Sequence, residues 1–444
     1  MKNILLLGAG LSASTLIKYL LDRCEAEDWV LHVVDQNSAQ LQQKLNGHPR
    51  GIAHLFDALD SQVRRPYIAQ AHIVISMLPA IHHVEVAKDC IALQKNLLTP
   101  SYISSEMRAL HQEALAAGIL ILNEIGLDPG IDHMSAMRII DRIKGKGGVL
   151  KSFKSFCGGL IAPASDNNPW HYKFTWNPRN VVLAGQGPAA CYREMNELKY
   201  VTYQRLFQQL DTIEIENYGT FQGYANRDTL SYMSTYGIED IPTIFRGTLR
   251  RPPFCEAWNV FVQLGMTEDH FQIHGSEKLT PRQFLNAFLP FQEGVSVEDK
   301  LLLFVAKNQQ IFELFEAIGL FEDHAPIGLS NASPAQLLQH ILMDKWRLHQ
   351  GDKDMIVMVH QIQYQQDSKR YQIDSSLVVE GQDERYTAMA NTVGLPIAIA
   401  CKMIMTGQIH EKGVTLPVSA AIYEPILNEL EAFGLIFNET KKQI

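Results

Sequence analysis

Three ionisable side chains of the sequence stand where they could move protons. Tyr102 lies in SYIS, Asp128 in GLDPG and Cys157 in FCGG. A phenol or a carboxylate can transfer a proton to or from a reacting group, and a thiol can line such a site. Each residue also has a structural interpretation: a loop aromatic, a turn aspartate before proline, or a small packed side chain. The residue types alone leave these roles open.

Arginines in two segments have the chemistry to hold a carboxylate. Arg227 stands in YANRD, and Arg246, Arg250 and Arg251 stand in FRGTLRRPP. A guanidinium offers two parallel hydrogen bonds to a carboxylate, and the small residues nearby allow a ligand to approach. The glycine and the prolines predict loops here, and a solvated surface arginine is the alternative interpretation.

The histidines, in contrast, do not have the spacing of metal ligands. His82 and His83 are adjacent, whereas His133 and His171 lie far from them along the chain. We therefore expect surface or turn histidines, and no metal site.

A glycine motif near the N-terminus has the chemistry to bind a dinucleotide. Gly8 and Gly10 belong to GAGLSA, which stands between an apolar run and a segment of helical periodicity. Such glycines let backbone N–H groups approach a pyrophosphate, and the positive end of the following helix favours its charge. Asp35 ends the second apolar run, which is the context that the motif requires. A tight turn without a ligand is the alternative.

Asp35 also bears on the choice of cofactor. A carboxylate at this position can accept both ribose hydroxyls and repels a 2′-phosphate. Gln36 and Asn37 follow it, and no arginine or lysine is near to receive such a phosphate. These residues favour NAD, with NADP as the alternative.

Later strand ends predict where the rest of the dinucleotide lies. Ser76, Met77 and Leu78 follow a strand where backbone can pass a ribose, and Phe56 and Asp57 could border the adenine. Both segments could equally be plain loops. The cofactor contacts predicted from position are Gly8, Gly10, Leu11, Ser12, Asp35, Gln36, Phe56, Asp57, Ser76, Met77 and Leu78.

A parallel sheet is the element that must position these residues. Over residues 1–130, short apolar runs alternate with helical segments, which is typical of a parallel sheet with right-handed crossovers. Ligands of such sheets lie beyond the carboxyl ends of the strands. We expect TPSYIS, NEIGLDPGIDH and SFCGGL to reach that edge.

The rest of the chain mixes strands, loops and helices. Residues 158–190 read as loops, residues 267–350 as mostly helical, and residues 354–381 as a β-hairpin around Asp367. AMANTVGLPIAIACKMIMTG predicts a helix of about 15 residues that is apolar on many sides and therefore buried.

Composition sets limits on the class of protein. The chain has 444 residues, 46% hydrophobic and 20% charged, with a net charge of −9. The negative charge argues against nucleic-acid or membrane-surface binding, and we find no apolar run long enough to span a bilayer. The six cysteines are scattered without metal-type spacing, so we expect reduced thiols in a cytoplasmic protein.

Eight segments, in chain order, resemble the saccharopine dehydrogenases of the L-glutamate-forming type, also called saccharopine reductases. They are LLLGAG, ISMLP, SYIS, NEIGLDPGIDHMSAM, FCGGLIAPASDNNPWHYKFTW, YANRD, FRGTLR and AMANTVGLPIAIACKMI. The resemblance runs from about residue 3 to residue 435, and GLDPGIDH and NNPWHYKFTW are its most specific parts.

The resemblance implies an α/β fold with a Rossmann-type domain, an α/β substrate and dimerisation domain, and a helical portion. The expected boundaries are 1–130 for the Rossmann domain, 131–265 with 351–385 for the substrate domain, 266–350 for the helical domain, and 386–444 for a segment returning to the Rossmann domain. A homodimer is also implied.

The resemblance further implies an oxidoreductase of lysine metabolism. Saccharopine, water and an oxidised nicotinamide would give L-glutamate and 2-aminoadipate 6-semialdehyde, or the reverse. Fungal members use NADP, whereas animal and plant members use NAD and carry an acid where this chain has Asp35. The direction of the reaction stays open.

Site residues also follow from the resemblance. Leu127, Asp128 and Pro129 resemble the segment on the nicotinamide side. The expected substrate contacts are Ser101, Tyr102, Arg227, Arg246, Gly247 and Thr248. Asp128 and Tyr102 would relay protons, and Cys157 would line the site.

Two rival functions remain open. A carboxynorspermidine synthase-like enzyme would reduce a similar imine on a polyamine, but its cationic substrate needs acids where this chain offers Arg227 and Arg246. A non-catalytic NAD-binding protein would bind the cofactor without turning over saccharopine.

Overall fold

The computed structural model describes all 444 residues, which fold into two compact units. The first unit comprises Met1–Leu150, Tyr364–Lys369 and Leu377–Asn438, and the second comprises Lys151–Gln363, Arg370–Ser376 and Glu439–Ile444.

The strands are β1 (Lys2–Leu7), β2 (Trp29–Asp35), β3 (Gly51–Leu55), β4 (Ile73–Ser76), β5 (Asn96–Leu98), β6 (Leu120–Leu122), β7 (Val149–Ile161), β8 (Ala190–Glu194), β9 (Glu197–Val201), β10 (Asp211–Ile215), β11 (Gly219–Ala225), β12 (Thr243–Arg250), β13 (Asp354–Gln366), β14 (Lys369–Glu380), β15 (Gly413–Thr415) and β16 (Asn438–Gln443).

The α-helices are α1 (Ser14–Cys24), α2 (Ser38–Leu45), α3 (Ser61–Gln70), α4 (His83–Ala92), α5 (Ser105–Ala109), α6 (His111–Ala116), α7 (Ile131–Gly145), α8 (Pro178–Val182), α9 (Tyr203–Leu206), α10 (Ser231–Thr235), α11 (Phe254–Leu264), α12 (Pro281–Phe288), α13 (Val297–Phe304), α14 (Gln309–Ala317), α15 (Pro334–Lys345), α16 (Ala388–Met405) and α17 (Ala420–Ala432).

The first unit is built on a seven-stranded sheet in the order β15-β6-β5-β4-β1-β2-β3. All its strand pairs are parallel. The central strand β1 is fully apolar after Asn3 and is buried from Ile4 to Leu7, because helices cover both faces of such a sheet. The predicted Rossmann-type parallel sheet is confirmed.

Helix α16 packs against α1 in the core of the first unit. A Cβ on Gly394 would lie 2.9 Å from the backbone nitrogen of Leu16, so only glycine allows this close approach. By length and composition, the 18-residue helix α16 could cross a membrane. The prediction that no apolar run is long enough to span a bilayer was therefore wrong. Because 72% of this segment is buried inside the protein, it has the burial of a core helix.

The second sheet is mixed, with the order β10-β11-β12-β7-β13-β14-β16, and β8 joins β12 to β9. Strand β12 runs parallel to β7 and antiparallel to β11. The predicted hairpin is confirmed: β13 and β14 are joined through Asp367 and Ser368, whose φ angles of 49° and 60° suit a tight hairpin turn. The prediction of loops from residue 158 was wrong at its start, because β7 continues to Ile161.

Helices α11 to α15 accompany this sheet in the second unit. Their core is an aromatic cluster in which Trp170 stacks on Phe261 with 5.9 Å between ring centroids and also contacts Trp346 at 5.2 Å. The NNPWHYKFTW segment therefore supplies core packing to the helical part.

Candidate active site

The glycine turn lies at the carboxyl end of β1 and has the shape of a dinucleotide cradle. Gly8 has φ +95°, and a Cβ there would lie 3.1 Å from the carbonyl oxygen of Met77. A Cβ built on Gly10 would meet no atom within 4 Å, so space is open beside its backbone. A short 3₁₀ turn then leads directly into α1. Backbone room at the start of a helix fits a pyrophosphate.

Asp35 closes this cradle from the end of β2. Its Oδ2 accepts a hydrogen bond of 2.7 Å from the N–H of Ala9, and its Oδ1 accepts one of 2.9 Å from Asn37. These two bonds hold the carboxylate where a ribose would present its hydroxyls.

The structure also brings a lysine to this place, which the sequence analysis missed. Lys44 of α2 is buried, and its Nζ donates to the carbonyl of Gly10. Burial lowers the pKa of Lys44 to about 8, while Asp35 favours its charge and Arg385 opposes it. The expectation that no lysine lies near Asp35 was therefore wrong.

The turn after β6 has a backbone that glycine alone permits. Gly130 has φ +147°, and a Cβ there would lie 2.1 Å from the carbonyl oxygen of Gly126. The Asp128-Pro129 peptide bond is cis. At the start of α7 the buried Asp132 accepts a hydrogen bond of 2.6 Å from the N–H of Gly130, as expected for an acid at a helix start.

Tyr102 and Asp128 meet at this edge of the sheet. The phenol of Tyr102 donates a hydrogen bond of 2.6 Å to Oδ1 of Asp128. Tyr102 is 49% exposed, so the pair faces solvent. A solvent-facing phenol and carboxylate in direct contact form a path along which a proton can move.

A buried Glu124–His133 pair supports the two loops that carry Tyr102 and Asp128. Glu124 Oε2 lies 2.7 Å from His133 Nε2, and its Oε1 accepts a 2.9 Å hydrogen bond from the N–H of Ile103, next to Tyr102. Glu124 and His133 are 1% and 0% exposed. One glutamate thus ties the loop after β5 to helix α7.

A second buried histidine links two other strand ends. His83 Nδ1 lies 2.9 Å from the hydroxyl of Ser76, and its Nε2 lies 2.9 Å from the hydroxyl of Ser101. Burial lowers the pKa of His83 to about 4, so the ring is neutral at physiological pH. The neutral imidazole orients Ser101, the neighbour of Tyr102.

The predicted substrate residues Arg227 and Arg246 belong to the second unit. Arg246 lies within β12, is 2% exposed, and its guanidinium lies 4.1 Å from the centre of the Tyr232 ring. Arg227 is exposed in a loop and donates from Nη1 to the carbonyl of Gln186 at 3.0 Å. The N–H of Asn226, which precedes Arg227, donates to the carbonyl of Arg246, so the structure brings the two segments together.

Thr248, Gly247 and Cys157 adjoin Arg246 in the same sheet. Thr248 donates a 2.7 Å hydrogen bond to Asn226 and is the register partner of Cys157 in β7. A Cβ on Gly247 would lie 2.8 Å from the carbonyl oxygen of Tyr224, so the strands approach closely here. Cys157 is buried.

Comparison with known proteins matches both parts of this architecture to one family. The model of the saccharopine dehydrogenase NADP binding domain matches residues 4–122, and that of the saccharopine dehydrogenase C-terminal domain matches residues 126–435. The chain belongs to the saccharopine dehydrogenase family. This confirms the resemblance found in the sequence, and with it a nicotinamide cofactor domain.

Relatives in this family come from fungi, animals and plants. The chain is 33% identical to the NADP(+), L-glutamate-forming saccharopine dehydrogenase of Saccharomyces cerevisiae, over 99% of both chains. The structure of that type of enzyme from the same organism matches with a TM-score of 0.89 and 32% identity, over 100% of both chains. The mitochondrial alpha-aminoadipic semialdehyde synthase of Bos taurus is 32% identical over 98% of this chain, which spans 47% of that relative's length.

The parallel sheet of the first unit brings the predicted cofactor contacts, together with Ser101 and Tyr102, to one edge. The residues that lie at the carboxyl ends of its strands or in the segments that follow them are Gly8, Gly10, Leu11, Ser12, Asp35, Gln36, Phe56, Asp57, Ser76, Met77, Leu78, Ser101, Tyr102, Leu127, Asp128 and Pro129. Phe56 stacks on Tyr67, with 4.8 Å between ring centroids. Their individual roles toward a ligand stay predictions.

Two expectations about position were wrong. His83 and His133 are buried at 3% and 0% exposure, not surface or turn histidines. The signal was present in the sequence, because His83 shares helical spacing with Val86, Ala87 and Cys90 of α4, which are all buried. Arg246 and Arg250 lie in strand β12 and not in loops.

The low pKa of His83 predicts a pH-dependent loss of stability. Because the unfolded chain binds this proton near pH 6.5 and the folded chain only near pH 4, stability falls as pH drops through that window. The full loss is about 3 kcal/mol at about 1.4 kcal/mol per pKa unit. Urea unfolding of the native chain and of His83→Asn at pH 7 and pH 4.5 measures it. A variant that loses as much stability as the native chain would contradict this assignment.

Proposed function

We propose that this chain catalyses the nicotinamide-dependent oxidative cleavage of saccharopine to L-glutamate and 2-aminoadipate 6-semialdehyde, or the reverse reductive condensation. The observation that carries the proposal is the 2.6 Å hydrogen bond between Tyr102 and Asp128, at the same sheet edge as the glycine cradle. Family membership supplies the substrate class.

Proton movement is the task of the chain's own residues. A bound oxidised nicotinamide would supply a hydride acceptor for the carbon beside the secondary amine of saccharopine on the semialdehyde side. Water then adds to the substrate imine, and the C–N bond breaks to release glutamate and aldehyde. Loss of hydride leaves a protonated imine, and the water addition and the C–N cleavage that follow both move protons. Tyr102 can pass a proton to the carboxylate of Asp128, directly or through water. Neutral His83 holds the hydroxyl of Ser101, the residue that precedes Tyr102.

Substrate binding must rely on positively charged side chains at the site itself, because saccharopine has three carboxylates and the chain has a net charge of −9. Arg227 and Arg246 are the proposed partners of two of them. Arg246 is buried, and a guanidinium removed from water binds a carboxylate more strongly than an exposed one. Cys157, the register partner of Thr248 on β7, would lie beside Arg246 in the same sheet.

We also propose that NAD is preferred over NADP. Support comes from Asp35, whose carboxylate is fixed by Ala9 and Asn37 at the end of β2 and would repel a 2′-phosphate. The buried Lys44 nearby offsets part of that repulsion, so the preference is expected to be moderate.

The cofactor preference predicts the effect of a charge reversal. Asp35→Arg should weaken NADH binding and bring the dissociation constants of NADH and NADPH closer together by about tenfold or more. Fluorescence titration of both reduced cofactors measures this. Asp22→Arg is the matched control, because Asp22 lies on α1 and pairs with Lys18, four residues earlier. A native chain that binds NADPH as tightly as NADH would refute the preference.

One set of assays tests the function and its rivals. Production of reduced nicotinamide is measured with saccharopine and NAD or NADP, and its consumption with aldehyde plus glutamate or with aldehyde plus a polyamine. We expect turnover of saccharopine and of aldehyde plus glutamate. Turnover of the polyamine alone would favour a carboxynorspermidine synthase-like enzyme, and cofactor binding without any turnover would favour a non-catalytic protein.

We propose in addition a homodimer in the cytoplasm, from the family resemblance and the cysteine pattern. All six cysteines are free thiols. Light scattering of the purified chain should give twice the monomer mass of 50.1 kDa, and a monomer at micromolar concentration would contradict the proposal.

A further inference from the structure

Arg250 is a buried cation without a carboxylate partner. It is the last residue of β12 and is 4% exposed. Its Nη1 donates to the carbonyl of Leu249 at 2.8 Å, and its Nε is buried without a hydrogen-bond partner. The ionisable groups near it are tyrosines and cysteines, and burial raises the pKa of Tyr224 and of Cys255 to about 12, so neither supplies a negative charge at neutral pH.

Aromatic rings surround the guanidinium instead of acids. The centres of the Tyr172, Phe254 and Tyr224 rings lie 5.1, 5.3 and 5.7 Å from its central carbon. Ring faces attract a cation, but they do not accept its N–H hydrogen bonds. A charge that is buried without a hydrogen-bonding counter-ion is costly, so this arrangement points to a partner that comes from outside the chain.

Arg250 lies on the same side of the sheet as the proposed substrate residues. Side chains alternate along a strand, so Arg246, Thr248 and Arg250 share one face of β12. Tyr224 and Cys157 are the register partners of Thr248 on the two neighbouring strands, and the Tyr224 ring centre lies 5.7 Å from the Arg250 guanidinium. Arg250 therefore lies on the same face of β12 as Arg246.

We propose that Arg250 binds a carboxylate of the substrate, as a third guanidinium beside Arg227 and Arg246. This inference rests on the proposed function, because saccharopine has three carboxylates and the two proposed arginines account for two. The planar edge formed by Nε and one Nη group offers a carboxylate two parallel hydrogen bonds. The aromatic rings exclude water from this subsite, which strengthens the pair. Tyr172 gives the NNPWHYKFTW segment a role in building it.

The test compares neighbouring arginines. Arg250→Met keeps an unbranched side chain among the rings of Tyr172, Phe254 and Tyr224 and removes the charge. Saccharopine should bind about 100-fold more weakly to this variant, because a desolvated charge pair is lost. Arg193→Met is the matched control: Arg193 lies on β8 beside β12 and donates to the carbonyls of Glu239 and Ile241, so saccharopine affinity should stay within about twofold of the native value. Calorimetry gives both affinities, and NADH binding reports that each variant is folded.

The outcomes separate a ligand site from a structural cation. A folded Arg250→Met chain that binds saccharopine as tightly as the native chain would overturn the proposal. If that variant does not fold, Arg250→Gln removes the charge but keeps a polar side chain, and unchanged affinity there would overturn the proposal equally.

A second probe distinguishes this failure from a failure of the proposed function. Glutarate, a dicarboxylate that cannot react, is titrated into the native chain and into Arg250→Met. Glutarate binding that depends on Arg250 supports the subsite even if saccharopine is not turned over. Saccharopine turnover with affinities that do not depend on Arg250 supports the function and removes the subsite.

Discussion

Replacing Asp128 by alanine should lower kcat for saccharopine by about 10²- to 10⁴-fold, the range of general acid–base assistance. The carboxylate accepts the phenol proton of Tyr102 at 2.6 Å, so its removal interrupts the path by which protons leave the substrate. Binding of the cofactor should change little, because the glycine cradle and Asp35 stay intact. Rates of nicotinamide reduction at saturating saccharopine measure the effect.

The same unit offers a matched control for Asp128. Tyr423 donates a hydrogen bond of 2.6 Å to Asp141 of α7, which repeats the phenol–carboxylate contact away from the glycine cradle. Asp141→Ala should therefore keep kcat near the native value. An Asp128→Ala enzyme with full kcat would remove Asp128 from the mechanism, and Tyr102→Phe would then show whether the phenol acts alone.

Replacing Arg246 by alanine should raise KM for saccharopine by about 100-fold while kcat stays within a few-fold. Without the buried guanidinium, the substrate carboxylate has lost its partner in both the ground state and the transition state. Loss of such uniform binding appears in KM. Steady-state kinetics with varied saccharopine at saturating cofactor separate the two constants.

Arg193 provides the control for Arg246. It lies on β8 beside β12 and donates to the carbonyl of Glu239 at 2.8 Å. Arg193→Ala should leave KM unchanged. If Arg246→Ala lowered kcat and kept KM, Arg246 would act on the transition state alone and the carboxylate assignment would fail.

The dinucleotide-binding part of the fold was predictable because its signals are local. The central strands β1 and β4 are short buried apolar runs, and a sheet covered by helices on both faces requires such runs. The glycine motif was equally predictable from the sequence, since the tight turn itself requires φ +95° at Gly8 and glycine adopts this angle readily. The hairpin around Asp367 was predictable because its turn signal is also local.

The positions of buried charges were not predictable in this way. FRGTLRR contains three arginines and a glycine, which indicate a loop by composition, yet Arg246 and Arg250 lie in a buried strand. Their burial depends on β7, β11 and distant aromatic rings, and no local pattern of the sequence contains those contacts.

Local patterns were enough to predict the parallel sheet, the glycine cradle and the turn that presents Asp128, because periodicity and backbone demands act over a few residues. The contact of Tyr102 with Asp128, the bond of Lys44 to Gly10 and the pairing of Glu124 with His133 became known from the folded chain alone. The physical reason is that such contacts join segments that are far apart in the chain. Their free energy depends on burial and distance, which exist only once the strands have taken their order.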